Sequence, residues 1–194
     1  VKNSADKPLL TVSIHKAEQL SEALVSLAPA RVYVPIELLP QLELAPYLGR
    51  TEFFAVLPRI YRTQDEPILR ALLEDAAKKG VTGVSIANLG HLSLVRGLKV
   101  TLHGDWALNI YNSAALSFWK KEGLASACAS FELRDAQLRD LSKCLPCEAI
   151  VYGRLPLMIT ENCLNANELG CRYFKDRPAS VPCDGACATA PELT

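Results

Sequence analysis

Four cysteines near the C-terminal end carry the most explicit chemistry in this chain. Cys163 and Cys171 are eight residues apart among the turn-formers Asn162, Asn165, Asn167 and Gly170, and Cys183 and Cys187 are four apart in Cys-Asp-Gly-Ala-Cys. Four thiolates suit a tetrahedral zinc ion or an iron–sulfur cluster, and spacing alone does not choose between them. The other reading is a set of thiols that bind nothing. The polar start, Val1 to Pro8, has no apolar signal segment, so the expectation is a reducing, cytoplasmic setting that favours ligation over disulfides. Six of the seven cysteines fall between residues 144 and 187. Cys144-Leu-Pro-Cys147 has the spacing of a redox motif, yet it precedes an apolar run instead of opening a helix, and reads as structural or incidental, with a spare metal ligand as the alternative. Cys128, inside another apolar run, reads as a small core residue.

A second set of candidates closes the apolar runs. His15, Glu37, Arg59, Asn88, His103 with Asp105, Glu132 and Arg154 follow seven such runs in turn, with Asn109 a little beyond the fifth. In a β/α barrel the chemistry sits at the C-terminal ends of the strands, so polar groups at every end favour a pocket, although loops are polar in any domain. Arg59 and Arg154 suit bidentate recognition of carboxylate or phosphate. His103-Gly-Asp105 is either an acid–base or metal-binding pair, or a hydrogen-bonded pair that holds a loop. His91 reads as a cap or a surface residue. No Gly-x-Ser-x-Gly or His-Glu-x-x-His pattern is present.

Those runs, at 9–14, 31–36, 53–58, 81–86, 99–103, 124–130 and 148–152, are nearly continuous in Val, Ile, Leu and Ala, as strands buried on both faces of a parallel sheet are. Helical periodicity separates most of them. Residues 16–27 carry a stripe at Ala17, Leu20, Ala23, Leu24 and Leu27, residues 67–79 run from Pro67 to a stop at Gly80, and residues 113–122 run from Asn112 to Gly123. Residues 135–143 are short and amphipathic, and Pro40 and Pro46 interrupt a weaker pattern over 41–49. Strand–helix alternation predicts an α/β fold, a parallel (β/α) barrel-like domain that is either incomplete or has its last strand beyond residue 194; an open doubly wound sheet is the alternative. No Gly-rich fingerprint follows the first run, which argues against a nucleotide-binding version of that sheet.

Periodicity fades after Met158. The expected organisation is a β/α domain over 1–158 and an irregular, metal-organised, cysteine-rich segment over 159–194 of the same domain, since so long a stretch without helix or strand needs something to tie it down. The missing initiator Met and the abrupt end at Thr194 suggest a piece of a longer polypeptide. Nearly half the residues are apolar, enough for a sizeable core, and 21 basic residues balance 21 acidic ones, so no broad electrostatic footprint for nucleic acid exists, though a local RNA-binding patch remains compatible. No run of about 18 apolar residues spans a membrane.

The segment 148–163, Glu-Ala-Ile-Val-Tyr-Gly-Arg-Leu-Pro-Leu-Met-Ile-Thr-Glu-Asn-Cys, resembles the signature region of the collagenase-like peptidases, family U32, and is most similar to the large bacterial members that read YGRLPLM-TENC. Residues 99–112, 130–133 and 175–177 look like parts of the same family, and the resemblance extends from about residue 9 onward. It implies a barrel-like β/α domain and the peptidase label, which has no agreed catalytic residues behind it. It also implies a second activity, because several members are iron–sulfur proteins that support oxygen-independent hydroxylation of RNA pyrimidines or quinone precursors. In those members four cysteines hold a four-iron cluster. Gly153 matches the glycine at the strand end, Cys163 the second cysteine and Cys171 the third, whereas the first falls on Pro156, which cannot ligate; Cys183 or Cys187 replaces it or matches the fourth. The resemblance therefore favours a 4Fe-4S cluster over zinc. It places that cluster beside a barrel mouth where His15, Glu37, Arg59, His103, Asp105 and Arg154 bind a small anionic substrate or RNA. The competing expectation is a binding or accessory module with a structural zinc site.

Overall fold

The computed structural model describes residues 8–142 and 144–156. Seven short strands, β1 (Thr11–Ser13), β2 (Arg31–Pro35), β3 (Glu52–Val56), β4 (Gly83–Ile86), β5 (Thr101–Gly104), β6 (Ser126–Cys128) and β7 (Cys147–Glu148), pair in chain order, and every pairing is parallel. Five helices, α1 (Glu22–Ser26), α2 (Glu66–Lys78), α3 (His91–Val95), α4 (Ser113–Lys121) and α5 (Asp135–Asp140), occupy connections between successive strands. This is the α/β, barrel-like architecture that the alternation predicts. The sheet curls so far that side chains of β1 and β2 hydrogen-bond to a side chain of β7.

Register sorts the strand residues onto two faces. Val32, Val34, Phe53, Ala55, Val84, Ile86 and Ala127 point outward and join one core cluster with Leu69, Leu73 and Ala76 of α2, Leu94 and Val95 of α3, and Leu116 and Trp119 of α4. Each fully buried leucine of such a cluster contributes about 1.5–3 kcal/mol relative to exposure. The intervening residues form the concave face, where Tyr33 lies beside Phe54, Ser85 beside His103, His103 beside Ser126, and Cys128 beside Glu148. The strands are thus not uniformly apolar, as the sequence suggests. They alternate, with an apolar convex face under the helices and a concave face rich in hydroxyl and charged groups.

Several elements differ in extent from their sequence patterns, each for a local reason. The stripe over 16–27 splits into a 3-10 turn at Ala17–Gln19 and the short α1, because extended Ser21 turns its hydroxyl onto the amide of Leu24 at 3.3 Å and so starts a new helix. The pattern over 41–49 becomes two 3-10 turns, Leu39–Gln41 and Ala45–Tyr47, each with a proline at its start. Lys79, at the end of α2, binds the first of these through three carbonyls, those of Leu39, Pro40 and Leu42, at 2.8, 3.0 and 2.9 Å. The seventh strand begins and ends early, at Cys147–Glu148 and not at 148–152, and Val151 and Tyr152 beyond it stand 90% and 96% exposed.

The described contacts divide the chain into two units, Val1–Val151 and Tyr152–Thr194. The second is described only as far as Pro156. The irregular cysteine-rich segment expected over 159–194, with Cys163, Cys171, Cys183 and Cys187, lies outside the described residues.

Candidate functional site

The concave face is organised around one carboxylate. Glu148 closes β7, and its Oε1 accepts from the Tyr33 hydroxyl at 2.7 Å and from Nη1 of Arg31 at 3.2 Å. Its Oε2 accepts from the Thr11 hydroxyl at 3.2 Å and stands 3.8 Å from Nε2 of His103. Arg31 also donates to Ser126 Oγ at 3.1 Å and to Glu52 at 3.4 Å, and its guanidinium lies 4.0 Å from the centre of the Phe54 ring. Gly83 makes that stack possible, because a Cβ there would collide with the Phe54 ring. Burial works against the Arg31 charge, but Tyr33, Glu148 and Glu52 more than restore it. Burial, with the Glu148 charge behind it, raises the Tyr33 hydroxyl well above its ordinary value, so it stays protonated and donates.

The same bonds reach His103. Ser126 Oγ accepts from Arg31 and lies 2.8 Å from Nδ1 of His103, and with the ring proton on Nε2, the nitrogen that faces Glu148, the serine hydroxyl is free to donate to Nδ1. Ser126, His103 and Glu148 together have the composition of a hydrolytic triad. Their environment opposes that use. His103 is 2% exposed, and burial, assisted by Arg31, pushes its imidazole down to about 3, too weak a base to take a proton from serine near neutral pH. Ser126 is buried as well and carries the Arg31 cation on its oxygen.

Nearer the strand ends, the Arg59 guanidinium lies over the Trp106 ring, 3.7 Å from its centre, and Trp106 meets half-exposed Phe131 edge-on at 5.5 Å. Nη2 of Arg59 is buried with no hydrogen-bond partner. Asp105 attracts Arg59 electrostatically and accepts from the Trp106 amide through Oδ1 at 2.7 Å, while burial holds its carboxyl above the ordinary value. The loop below is pinned by His91. The Ala87 amide donates to its Nδ1 at 3.1 Å, and Asn88 bridges the His91 amide and the Arg59 carbonyl. His91 is fully buried, which corrects the expectation of a cap or surface residue, and burial lowers its imidazole to about 4.

The structure places the candidates unequally. Arg59 and Asp105 come together. His103 does not pair with Asp105, two residues on; its carboxylate neighbour is Glu148. His15 and Glu37 are exposed in the loops after β1 and β2, and Arg154 is exposed in the second unit. Cys128 faces the concave side, and burial pushes its thiol up to about 12, so it is neither a nucleophile nor a ready ligand at neutral pH. Among the described residues no group of three or more His, Cys, Asp and Glu side chains is placed to hold a metal ion. The residues that sequence reasoning passed over are Thr11, Arg31, Tyr33, Ser126 and Glu148. Their signal was alternation: polar Arg31 and Tyr33 flank apolar Val32, and Ser126 precedes Ala127 in the same phase.

Comparison with known proteins agrees with the fold. The model of peptidase family U32 matches residues 43–190. The solved structure of the U32 peptidase Mk0906 superposes with a TM-score of 0.52 at 12% identity, covering 76% of this chain and 73% of that one. At that identity the likeness speaks for the fold alone. No curated protein matches the sequence.

Proposed function

The chain belongs to peptidase family U32, and on that premise we propose that it is an iron–sulfur member of the family that supports hydroxylation or a related modification of RNA or a small anionic molecule. The observation that carries the reading is Arg59. A cation held over the Trp106 ring, with its buried Nη2 left without an acceptor among the described residues, favours a ligand that brings a negative oxygen to the strand ends. The cost of leaving such a donor unpaired is returned only when the acceptor arrives. Asp105 beside it selects against ligands that crowd the site with charge on every side.

The donor set in the C-terminal segment fits the cofactor. Cys163, Cys171, Cys183 and Cys187 supply four soft anionic ligands, the number an iron–sulfur cluster takes. Bound there, the cluster would supply one-electron redox chemistry. The chain's own described residues would bind and orient the substrate through Arg59. Peptide hydrolysis is the weaker reading, because the serine of the only triad-like group among the described residues is buried and its histidine is a poor base.

Two measurements test this. Anaerobically purified protein should contain roughly four irons per chain with a brown absorbance. Cys163→Ala and Cys171→Ala should lose the metal while Cys128→Ala keeps it. One zinc per chain would instead favour the accessory module, and a metal-free preparation would overturn the cofactor. Separately, Arg59→Met should weaken binding of a nucleoside monophosphate by on the order of 10- to 100-fold in equilibrium dialysis. Unchanged binding would move the anion site elsewhere.

A further inference from the structure

Chain-order pairing leaves the curled sheet with two free edges, β1 and β7, and no backbone ladder joins them among the described residues. Ladders between neighbouring strands set twist, but they do not by themselves hold two edges together. Something else must keep β1 beside β7. Among the described residues side chains cross the seam, and most of their hydrogen bonds converge on Glu148, with Arg31 also reaching Ser126 of β6.

We infer that Glu148 is a clasp that closes the sheet through side chains where backbone pairing is absent. Its two oxygens are reached by Thr11 of β1 and by Arg31 and Tyr33 of β2, at 3.2, 3.2 and 2.7 Å. A carboxylate offers about four acceptor positions, so three donors from two strands can share this one group without competing. The side of the seam they hold is otherwise weakly fixed. β1 is three residues long, Ser13 is exposed, and Leu9 and Leu10 are 79% and 47% exposed. Among the described residues, swinging β1 and β2 away from β7 breaks no backbone bond between them, but it breaks these side-chain contacts together with the Arg31–Ser126 bond and the Tyr33–His103 ring contact. The clasp is thus the point at which the concave face opens sideways to solvent or ligand, independently of the strand ends where Arg59 lies.

Hydrogen–deuterium exchange on the full chain tests the clasp. Glu148→Ala should speed exchange of the β1 amides and of the start of β2 by roughly 100-fold, with α2 and β4 unchanged. Thr11→Val removes one arm only and should give about a tenfold rise confined to β1, which Thr11→Ser should restore. If Glu148→Ala does not fold, the Thr11 pair decides. A rise spread evenly over all elements, or no rise in β1, would overturn the clasp.

Discussion

Arg31→Met should lower stability by about 2–4 kcal/mol, somewhat below the range for breaking one side of a fully buried ion pair, and the melting temperature by roughly 10 °C. The side chains of Arg31 and Glu148 are 18% and 22% exposed, so little water screens them. The loss is larger than that of one hydrogen bond because Glu148 would keep its charge with no cation against it, facing the Tyr33 and Thr11 hydroxyls and the neutral His103 ring. Ser126 would lose a donor as well, and the Phe54 ring its cation. Arg31→Met combined with Glu148→Gln should cost less than the sum of the two single changes, the mark of a direct coupling in a double-mutant cycle. A loss under about 1 kcal/mol in urea denaturation would make the pair an ordinary surface bridge.

Acid should unfold the protein through its two buried histidines. Folding holds the imidazoles of His91 and His103 near about 4 and about 3, both depressed by burial. The unfolded chain takes up protons from about pH 6.5 downward, and the folded chain does not. The unfolded state therefore binds more protons in this window, and stability falls as pH falls. The two contributions are complete above about pH 6.5 and are lost progressively toward pH 4 for His91 and pH 3 for His103. Each is worth on the order of 3 kcal/mol or more, a large share of the 5–15 kcal/mol typical of a domain. Urea midpoints measured between pH 7.5 and 4 should drop steeply, and His91→Gln should flatten the slope. A flat profile in the parent protein would mean that both rings reach solvent.

The alternation of strand and helix was legible because the outward strand residues and the helix stripes, such as Leu69, Leu73 and Ala76, obey local periods that the core enforces. Helix ends at Gly80 and Gly123 were legible for the same local reason. The centre of the concave face was not. Arg31 and Tyr33 find Glu148 across 117 and 115 residues, and only the curl of the sheet brings them together. Nothing near Glu148 in sequence announces this role, because the apolar residues after it, Ile150 and Val151, drew the end of the predicted strand four residues too far. His103 was identified as a site candidate from its place at a strand end, but its orientation depends on Ser126, a partner that no local pattern reveals. Arg59 was found from its position after β3, while the Trp106 face beneath it comes from a different connection altogether.

Chain-order pairing also has a consequence for synthesis on the ribosome. At about 5–20 residues per second, Arg31 emerges roughly 6–23 s before the Glu148 that will neutralise it, 117 residues later. During that interval β1 to β6 can assemble one beside the next, each strand meeting a neighbour already made. The face left waiting for β7 presents a guanidinium, hydroxyls and an imidazole, which water solvates well. A nascent sheet whose unfinished concave side is hydrophilic presents little apolar surface there to other nascent chains, which leaves the open backbone edge of β6 as the part that β7 must cover.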